Sequence, residues 1–430
     1  MMEKSEIGNE IYSLIEQLFP ICRSITGDGV RQTLEIISQK IPLKIYNVPT
    51  GEKVFDWNIP EEWNIKDAYI INPKGEKIID FNKSNLHVVS YSQPVNKQLS
   101  FEELKNHIHT IPDKPDWIPY KTSYYKKDWG FCMTENQYKT MEEGSYKVVI
   151  DSSFTEGNLT YGEFYLKGEI DDEVLISTHI CHPSMCNDNL SGIAVATQLV
   201  KFLQSEKRKY SYRIIFVPAT IGAITWLAKN ENSLGKIKYG LVAALLGDSG
   251  KFNYKKSRSG NANIDKIIEY VLQSYGTEYK IHDFSPYGYD ERQYCSPGIN
   301  LPVGRLTRSQ NGEYDEYHTS ADNLNFVKPQ FLEESFSVFI SAINIIENNC
   351  KYLNLFPKGE PQLGKRGLYN SVAGNIKEKE LAMLWILNYS DGENDLLDIA
   401  IKSNIKFNVL LDVARLLEQH NLIKKIEQKK

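Results

Sequence analysis

No stretch of this chain carries the roughly 18–20 consecutive apolar residues that a bilayer-spanning helix needs. Its start, Met1-Met2-Glu3-Lys4-Ser5-Glu6, has no basic region leading into an apolar one, so no secretory signal is visible and the expected location is the cytoplasm, away from membranes. Charge of one sign is not in excess either. Fifty Lys and Arg against 55 Asp and Glu leave a net charge of -5, which argues against nucleic acid as a partner bound through bulk positive charge. Cysteine is scarce and scattered: Cys22, Cys132, Cys181, Cys186, Cys295 and Cys350 form no disulfide framework. Cys181 and Cys186 share a loop, but a structural thiol zinc site takes about four closed ligands, commonly in tight pairs, and no second pair exists. Free thiols are the simpler reading. Internal repeats and low-complexity tracts are also missing.

What is present is an ordinary globular composition, 41% apolar and 24% charged over 430 residues. That length suits about two or three domains. Residues 6–40 read as two amphipathic helices around a turn, broken by Pro20 and Gly27-Asp28-Gly29. From about Pro42 to Tyr165 short β-prone runs (44–48, 67–72, 86–91, 146–151) are separated by Pro, Gly and Asn turns, while Ile111–Pro119 is too proline-rich for regular structure. From Val174 the texture alternates. Strands at 174–178, 213–217, 240–246 and 301–306 are expected, with helices at 189–203, 222–229, 264–274 and 329–348 between and after them. This alternation indicates an α/β domain with a largely parallel sheet. After about Lys358, three short helices (377–387, 396–403, 409–419) and a β-prone tail at 422–426 match a winged-helix pattern.

In such sheets, sites collect in loops beyond the carboxyl ends of strands. The apolar run Val174–Thr178 ends at His179; His182 follows, then Asp188 six residues further on, between Asn187 and Asn189. Far downstream, His318 lies in the polar loop Glu313–Asp322, and Asp248 follows the strand at 240–246. Imidazoles and a carboxylate at strand ends are what zinc binds through nitrogen and oxygen. Alone, Asp188 would be read as a helix cap, His179 as a satisfied core histidine and Asp248 as a turn former. Together they point to a metal-dependent hydrolase, with His179 and His182 free to divide the roles of ligand and support. The cluster Tyr289-Asp290-Glu291-Arg292 is either a surface ion pair or a site that recognises a substrate terminus.

The Asn187–Gly192 turn and the Tyr317-His318-Thr319 loop resemble the zinc-binding loops of aminopeptidases with the phosphorylase/hydrolase-like α/β fold. More closely, the chain resembles a bacterial family of aminopeptidase-like proteins with an inserted domain and a C-terminal winged helix, often associated with polysaccharide biosynthesis. The segments carrying this are Leu18–Gly27, Val48–Gly51 through Trp57, His179–Ser184 and Asp315–Asp322. The resemblance implies a zinc-exopeptidase-like three-layer α/β/α domain (1–42 and 166–357), a β-rich inserted domain (43–165) and a winged-helix domain (358–430). It also implies Asp188 and His318 as ligands, completed by His179 or His182.

The departures matter. Di-zinc aminopeptidases carry adjacent glutamates after the second core strand, where this chain has Ala219-Thr220, and an aspartate two residues after the first histidine, where it has Cys181. One zinc is therefore expected rather than two. The proton acceptor, a role commonly worth ~10²–10⁴ in rate, falls to Glu291 or Glu316 as candidates, and Asp290, Arg292 and Tyr317 are candidates for substrate contact. Three functions follow: a zinc-dependent hydrolase of a peptide or other amide-containing small substrate; a metal-binding pseudoenzyme recognising a peptide or sugar-linked ligand; or a regulator acting through the winged helix. Against the last, residues 376–430 hold nine basic and nine acidic residues, without the basic excess of DNA-binding modules. The inserted domain either shapes the cleft or forms a homo-oligomer contact.

Overall fold

Seven consecutive buried residues, Glu173–His179, lie near the middle of an eight-stranded sheet. The structure, a computed structural model, describes residues 6–368 and 377–426. The reading of the N-terminal start and of the chain end therefore falls partly outside the described residues. In chain order the sheet strands are β1 (Lys44–Pro49), β2 (Asn158–Leu166), β3 (Glu173–His179), β4 (Ser211–Val217), β5 (Ile237–Ala243), β6 (Phe252–Lys255), β7 (Tyr279–His282) and β8 (Val303–Thr307). Their spatial order is β1-β2-β4-β3-β5-β8-β6-β7. The four middle strands are mutually parallel, while β1/β2, β2/β4 and β6/β8 are antiparallel.

A strand with no exposed residue is what a parallel sheet covered on both faces produces. Glu173 is tolerated in it because Arg213 of β4 grips the carboxylate through Nε at 2.8 Å and Nη2 at 3.1 Å. The helix Gly192–Gln204 follows β3, and its first residue must be small. A Cβ at Gly192 would stand 2.5 Å from the Ala243 carbonyl oxygen at the end of β5.

Two expected features differ. Lys44–Pro49 and all but the last residue of Asn158–Leu166 fall within the expected insert at 43–165, yet they extend the central sheet by antiparallel pairing. Leu86–Tyr91 reads as a strand in sequence, but the structure has a 3-10 turn at Asn85–His87 and isolated bridges at Val88 and Ser90. The insert proper is a four-stranded antiparallel sheet in the order Lys77–Asp80, Glu62–Ile71, Ser145–Thr155, Val95–Ser100. Ala68, Ile70, Val148 and Ile150 are part of its own core.

The chain divides into two compact units, 1–265 with 277–337 and 266–276 with 338–430. The second contains helices Glu378–Tyr389, Leu396–Ser403 and Phe407–Gln419 and a three-stranded sheet with Lys351–Asn354 between Asp391–Asp395 and Ile423–Lys425. Three helices beside a small sheet are the winged-helix arrangement. It begins before the expected boundary at 358, because Lys351–Asn354 supplies its central strand. Among the described residues no helix is long and apolar enough to cross a membrane.

Candidate metal centre

β3 delivers His179, fully buried, at its carboxyl end. The loop that follows is anchored by Arg23, itself buried, whose Nε donates to the His182 carbonyl at 2.8 Å and Nη1 to the Leu18 carbonyl at 2.8 Å. The turn Cys186–Ser191 then leads into the helix. Inside it, Asp188 (φ −108°, ψ 82°) and Asn189 (φ −144°, ψ 33°) leave helical geometry. A cis peptide joins these two residues, and another joins Ala219 to Thr220.

Asp188 does not cap the helix. The polar residues around it fasten the turn: the Asn187 amide spans Asp248 Oδ2 and the Gly247 N–H, Asn189 spans Thr178 and the Leu245 N–H, and Ser191 Oγ accepts from the Leu246 N–H. That leaves the Asp188 carboxylate free to face inward.

His318 comes from the loop after β8. Its backbone is left-handed at φ 55°, a region histidine enters more readily than β-branched residues do. Its carbonyl accepts the Tyr120 N–H at 2.8 Å, and the Ser320 N–H donates to the Ile118 carbonyl at 2.8 Å. The proline-rich end of the insert thus runs along the histidine loop and fixes it.

These pieces converge on one carboxylate. Asp188 Oδ1 lies 2.8 Å from His179 Nε2, and Oδ2 lies 2.9 Å from His318 Nε2 and 3.9 Å from His182 Nε2. The ligand atoms of His179, His182 and Asp188 all lie within 4.8 Å of one another. Burial pushes the Asp188 carboxyl up, but the surrounding imidazoles, His182 first, overcome it and hold the group well below the usual carboxylate range. Burial also drives the His182 imidazole down to about 3, so its lone pair is free for a cation. Two to three imidazole nitrogens around an ionised carboxylate form a donor set that suits zinc.

Aromatic rings hold the imidazoles in place. Tyr289 stacks on His179 at 4.7 Å, Tyr317 stacks on His318 at 3.9 Å, and Tyr120 lies 5.3 Å from His182 and 5.1 Å from His318. The group is most exposed on the His318 side, whose side chain is 33% exposed against 12% for His182 and 0% for His179 and Asp188.

Other expected residues are placed differently. Asp248 is not brought into the group: its oxygens accept from Asn187, Ser309 and Gly250, so it acts as a hub for loops. Glu291 is fully buried, with Oε1 2.5 Å from Lys255 Nζ and 3.5 Å from Arg305 Nη1. Asp290 is buried too, which removes it from contact with a substrate terminus. Arg292 is half-buried on the following turn, where its charge acts on Asp290. Glu316 is half-buried in the turn before His318, and only its backbone carbonyl is engaged, by Thr319. No acid stands at Ala219-Thr220; the Ala219 carbonyl accepts from Cys181 Sγ at 3.7 Å.

Sequence reasoning missed Tyr120 and Asp322. Nothing local marks Tyr120, which reaches the site only through the fold of the insert. Asp322, four residues after His318 in the same polar loop, was visible as an acid. Its carboxylate accepts the Asn187 and Asp188 N–H groups.

Residues 12–349 match the family described as a domain of unknown function, DUF4910, and residues 350–425 match a winged helix-turn-helix family. A Clostridium acetobutylicum protein, provisionally named for polysaccharide biosynthesis and an aminopeptidase-like domain, is 55% identical over 426 residues, 99% of this chain and 98% of its own. A crystal structure from the same organism, provisionally named a peptidase, matches with a TM-score of 0.94 and 55% identity over 98% of this chain and 97% of that one. The structure of a zinc aminopeptidase from Bacillus subtilis matches at a TM-score of 0.58 and 14% identity, covering 80% of this chain and 96% of that one. At that identity the likeness concerns the fold.

Proposed function

The chain belongs to the DUF4910 family, as an aminopeptidase-like protein with a C-terminal winged helix, and from that premise we propose that it is a zinc-dependent hydrolase of amide bonds. The observation that carries this is the Asp188 carboxylate, buried and shared between His179 at 2.8 Å and His318 at 2.9 Å. His179, His182, Asp188 and His318 would hold the ion. One zinc fits better than two, because Ala219 and Thr220 offer no carboxylate for a second. A bound zinc supplies Lewis acidity that polarises a carbonyl and activates water near neutral pH.

The chain's own residues do the rest. Asp188 stays ionised, and Nε2 of His179, His182 and His318 faces its oxygens. Tyr289, Tyr317 and Tyr120 keep the rings oriented and exclude water from behind them. The substrate enters from the His318 side, where Tyr317 stacks on the imidazole, and Tyr317 and Arg292 remain candidates for contact. Of the two candidate proton acceptors, Glu291 is neutralised by Lys255 and Arg305, and a carboxylate held by two buried cations is a poor base. Glu316, with an uncommitted carboxylate two residues before His318, takes that role.

The relative's name favours including glycan-linked amides beside aminoacyl amides among the substrates. A second reading, a metal-binding protein without hydrolysis, is favoured by the missing acids at 219–220. Elemental analysis of the native chain and of His318→Ala, followed by a panel of aminoacyl and glycan-linked amides, decides. About one zinc per chain, lost in the variant, together with amide turnover supports the hydrolase. Zinc without turnover of any amide favours the second reading, and no zinc even when it is supplied defeats both.

A further inference from the structure

Three large aromatic side chains stand at the surface on short turns, Phe55 and Trp57 each 42% exposed and Tyr125 55% exposed. Phe55 and Asp56 form the two-residue turn between the paired segments Lys53–Val54 and Trp57–Asn58. Phe55 opens that turn at φ 53°, a position that favours Gly or Asn. Tyr125 is the third residue of a turn closed by the Lys126 N–H on the Ser123 carbonyl at 3.2 Å, and it stands at φ 63°. Glycine is the usual choice there too. Bulky residues are rare in left-handed backbone, and such strain gathers at ligand contacts. Rings left half in solvent repay it with little core packing.

Two of these rings meet. Trp57 and Tyr125 lie 5.1 Å apart between centroids, with planes inclined at 59°. The loop beneath Tyr125 is fastened: the Ser123 N–H donates to the Ser90 carbonyl at 2.9 Å, and the Ser123 hydroxyl donates to the Tyr91 carbonyl at 2.8 Å. Tyr124, next in the chain, has its ring 6.4 Å from that of Tyr125 and its hydroxyl 3.1 Å from that of Tyr120. The Tyr120 ring is in turn edge-on to His318 at 5.1 Å. A continuous run of aromatic contacts therefore leads from the exposed pair to the candidate metal centre.

The surroundings of the pair decide what it fits. The aliphatic neighbours Val54 and Ile59 are buried, while Asp56, Asn58, Lys126 and Lys127 are exposed. What faces solvent is aromatic with a polar rim, whereas apolar ligand groups are usually held in concave pockets. A sugar ring matches the aromatic face and the rim at once. Its polarised C–H hydrogens lie against the negative face of an aromatic ring, and its hydroxyls bond to carboxylate, amide and ammonium groups at the edge. We propose that Trp57 and Tyr125 form a subsite for a pyranose ring, holding a glycan whose amide lies at the metal centre. For that amide the inference rests on the hydrolase reading above, which it narrows to glycan-linked substrates; the binding of the ring itself requires no ion.

The test is saturation-transfer NMR on the full-length chain, with and without Zn2+, using chitotriose, cellotriose, maltotriose and, as a peptide counterpart, trialanine. Wild type should bind at least one of the sugars in both states. Trp57→Ala and Tyr125→Ala should each weaken that binding about tenfold or more, the worth of one good ring contact. Tyr125→Phe keeps the ring and should stay close to wild type. Tyr125→Gly separates binding from folding: it relieves the left-handed backbone, so its melting temperature should hold or rise while sugar binding falls as in the Ala variant. His318→Ala should leave sugar binding intact, so the subsite and the metal centre are read independently. Wild type that binds none of the sugars, or Ala variants that bind them as well as wild type, overturns the subsite. Tyr125→Gly melting well below wild type marks the ring as a packing group and overturns it too. The same follows if the rings serve trialanine in place of sugar, or a self-association in sedimentation that Trp57→Ala abolishes. A chain that binds sugar through these rings yet takes up no Zn2+ retains the subsite and loses the hydrolase reading.

Discussion

Asp322 holds Asp188 by its backbone. Oδ2 of Asp322 accepts the Asp188 N–H at 2.9 Å while Oδ1 accepts the Asn187 N–H at 2.6 Å. The loop that carries His318 thereby clamps the turn that carries Asp188, and the ends of two loops distant in sequence become one rigid piece. Burial pushes the Asp322 carboxyl up to about 8, against the two N–H groups that favour its charge.

Asp322→Ala should therefore cost stability as well as metal. Leaving two buried N–H groups unpaired is worth about 1–3 kcal/mol each, so urea unfolding should show a loss of roughly 2–6 kcal/mol. Asp322→Asn keeps one good acceptor and should lose about half as much. A stability for the Ala variant within error of wild type would show that the clamp contributes nothing.

Glu291→Gln separates structure from catalysis at the second acid of the Tyr289–Arg292 cluster. Removing one partner of a buried ion pair typically costs about 3–5 kcal/mol, and here two cations, Lys255 and Arg305, lose their counter-charge. The expected outcome is a strongly lowered denaturation midpoint. A variant of native stability that has lost only turnover would instead return Glu291 to the role of proton acceptor.

Tyr120 is the insert's contribution to the centre, its ring edge-on to His318 at 5.1 Å and its hydroxyl 3.1 Å from that of Tyr124. Tyr120→Phe keeps the ring and should leave zinc affinity within about twofold. Tyr120→Ala frees two imidazoles to rotate and should weaken it about tenfold or more, by analogy with the loss of other groups that orient ligands. Equal affinities for the two variants would show that packing on the insert does not orient the histidines.

The pair Glu62 and Arg31 predicts a pH dependence away from the centre. Arg31 Nη1 donates to Glu62 at 2.9 Å, and the Asn158 N–H donates to the same carboxylate at 3.0 Å. The hydrogen bond from Arg31 is the largest influence and lowers the Glu62 pKa. A lowered carboxyl pKa adds stability above the unfolded value of about 4.3, and that contribution is lost as pH falls through the folded value. Glu62→Gln should accordingly be less stable than wild type at pH 7 by on the order of 1 kcal/mol, since the pair is partly exposed. The difference should close as pH falls through the lowered folded value of Glu62. Parallel stability curves from pH 7 down to 3 would refute the linkage.

The local pieces of this protein were legible in its sequence. An apolar run bounded by His179 reads as a buried strand, and Pro329–Asn348 reads as a helix over its whole observed length. The three C-terminal helices are equally plain, because period and breakers are properties of neighbouring residues. Short strands such as Phe252–Lys255 and Tyr279–His282, four residues each, carry too little pattern to be seen. Only the tertiary structure put His318 against Asp188 across 130 residues of chain, drew Lys44–Pro49 and Asn158–Leu166 into the central sheet, and buried Glu291 against Lys255 and Arg305. Coordination, charge pairing and desolvation depend on distances of a few ångströms between groups far apart in the chain, and those distances are set by the fold, whereas spacing along the sequence sets only which residue types are available to it.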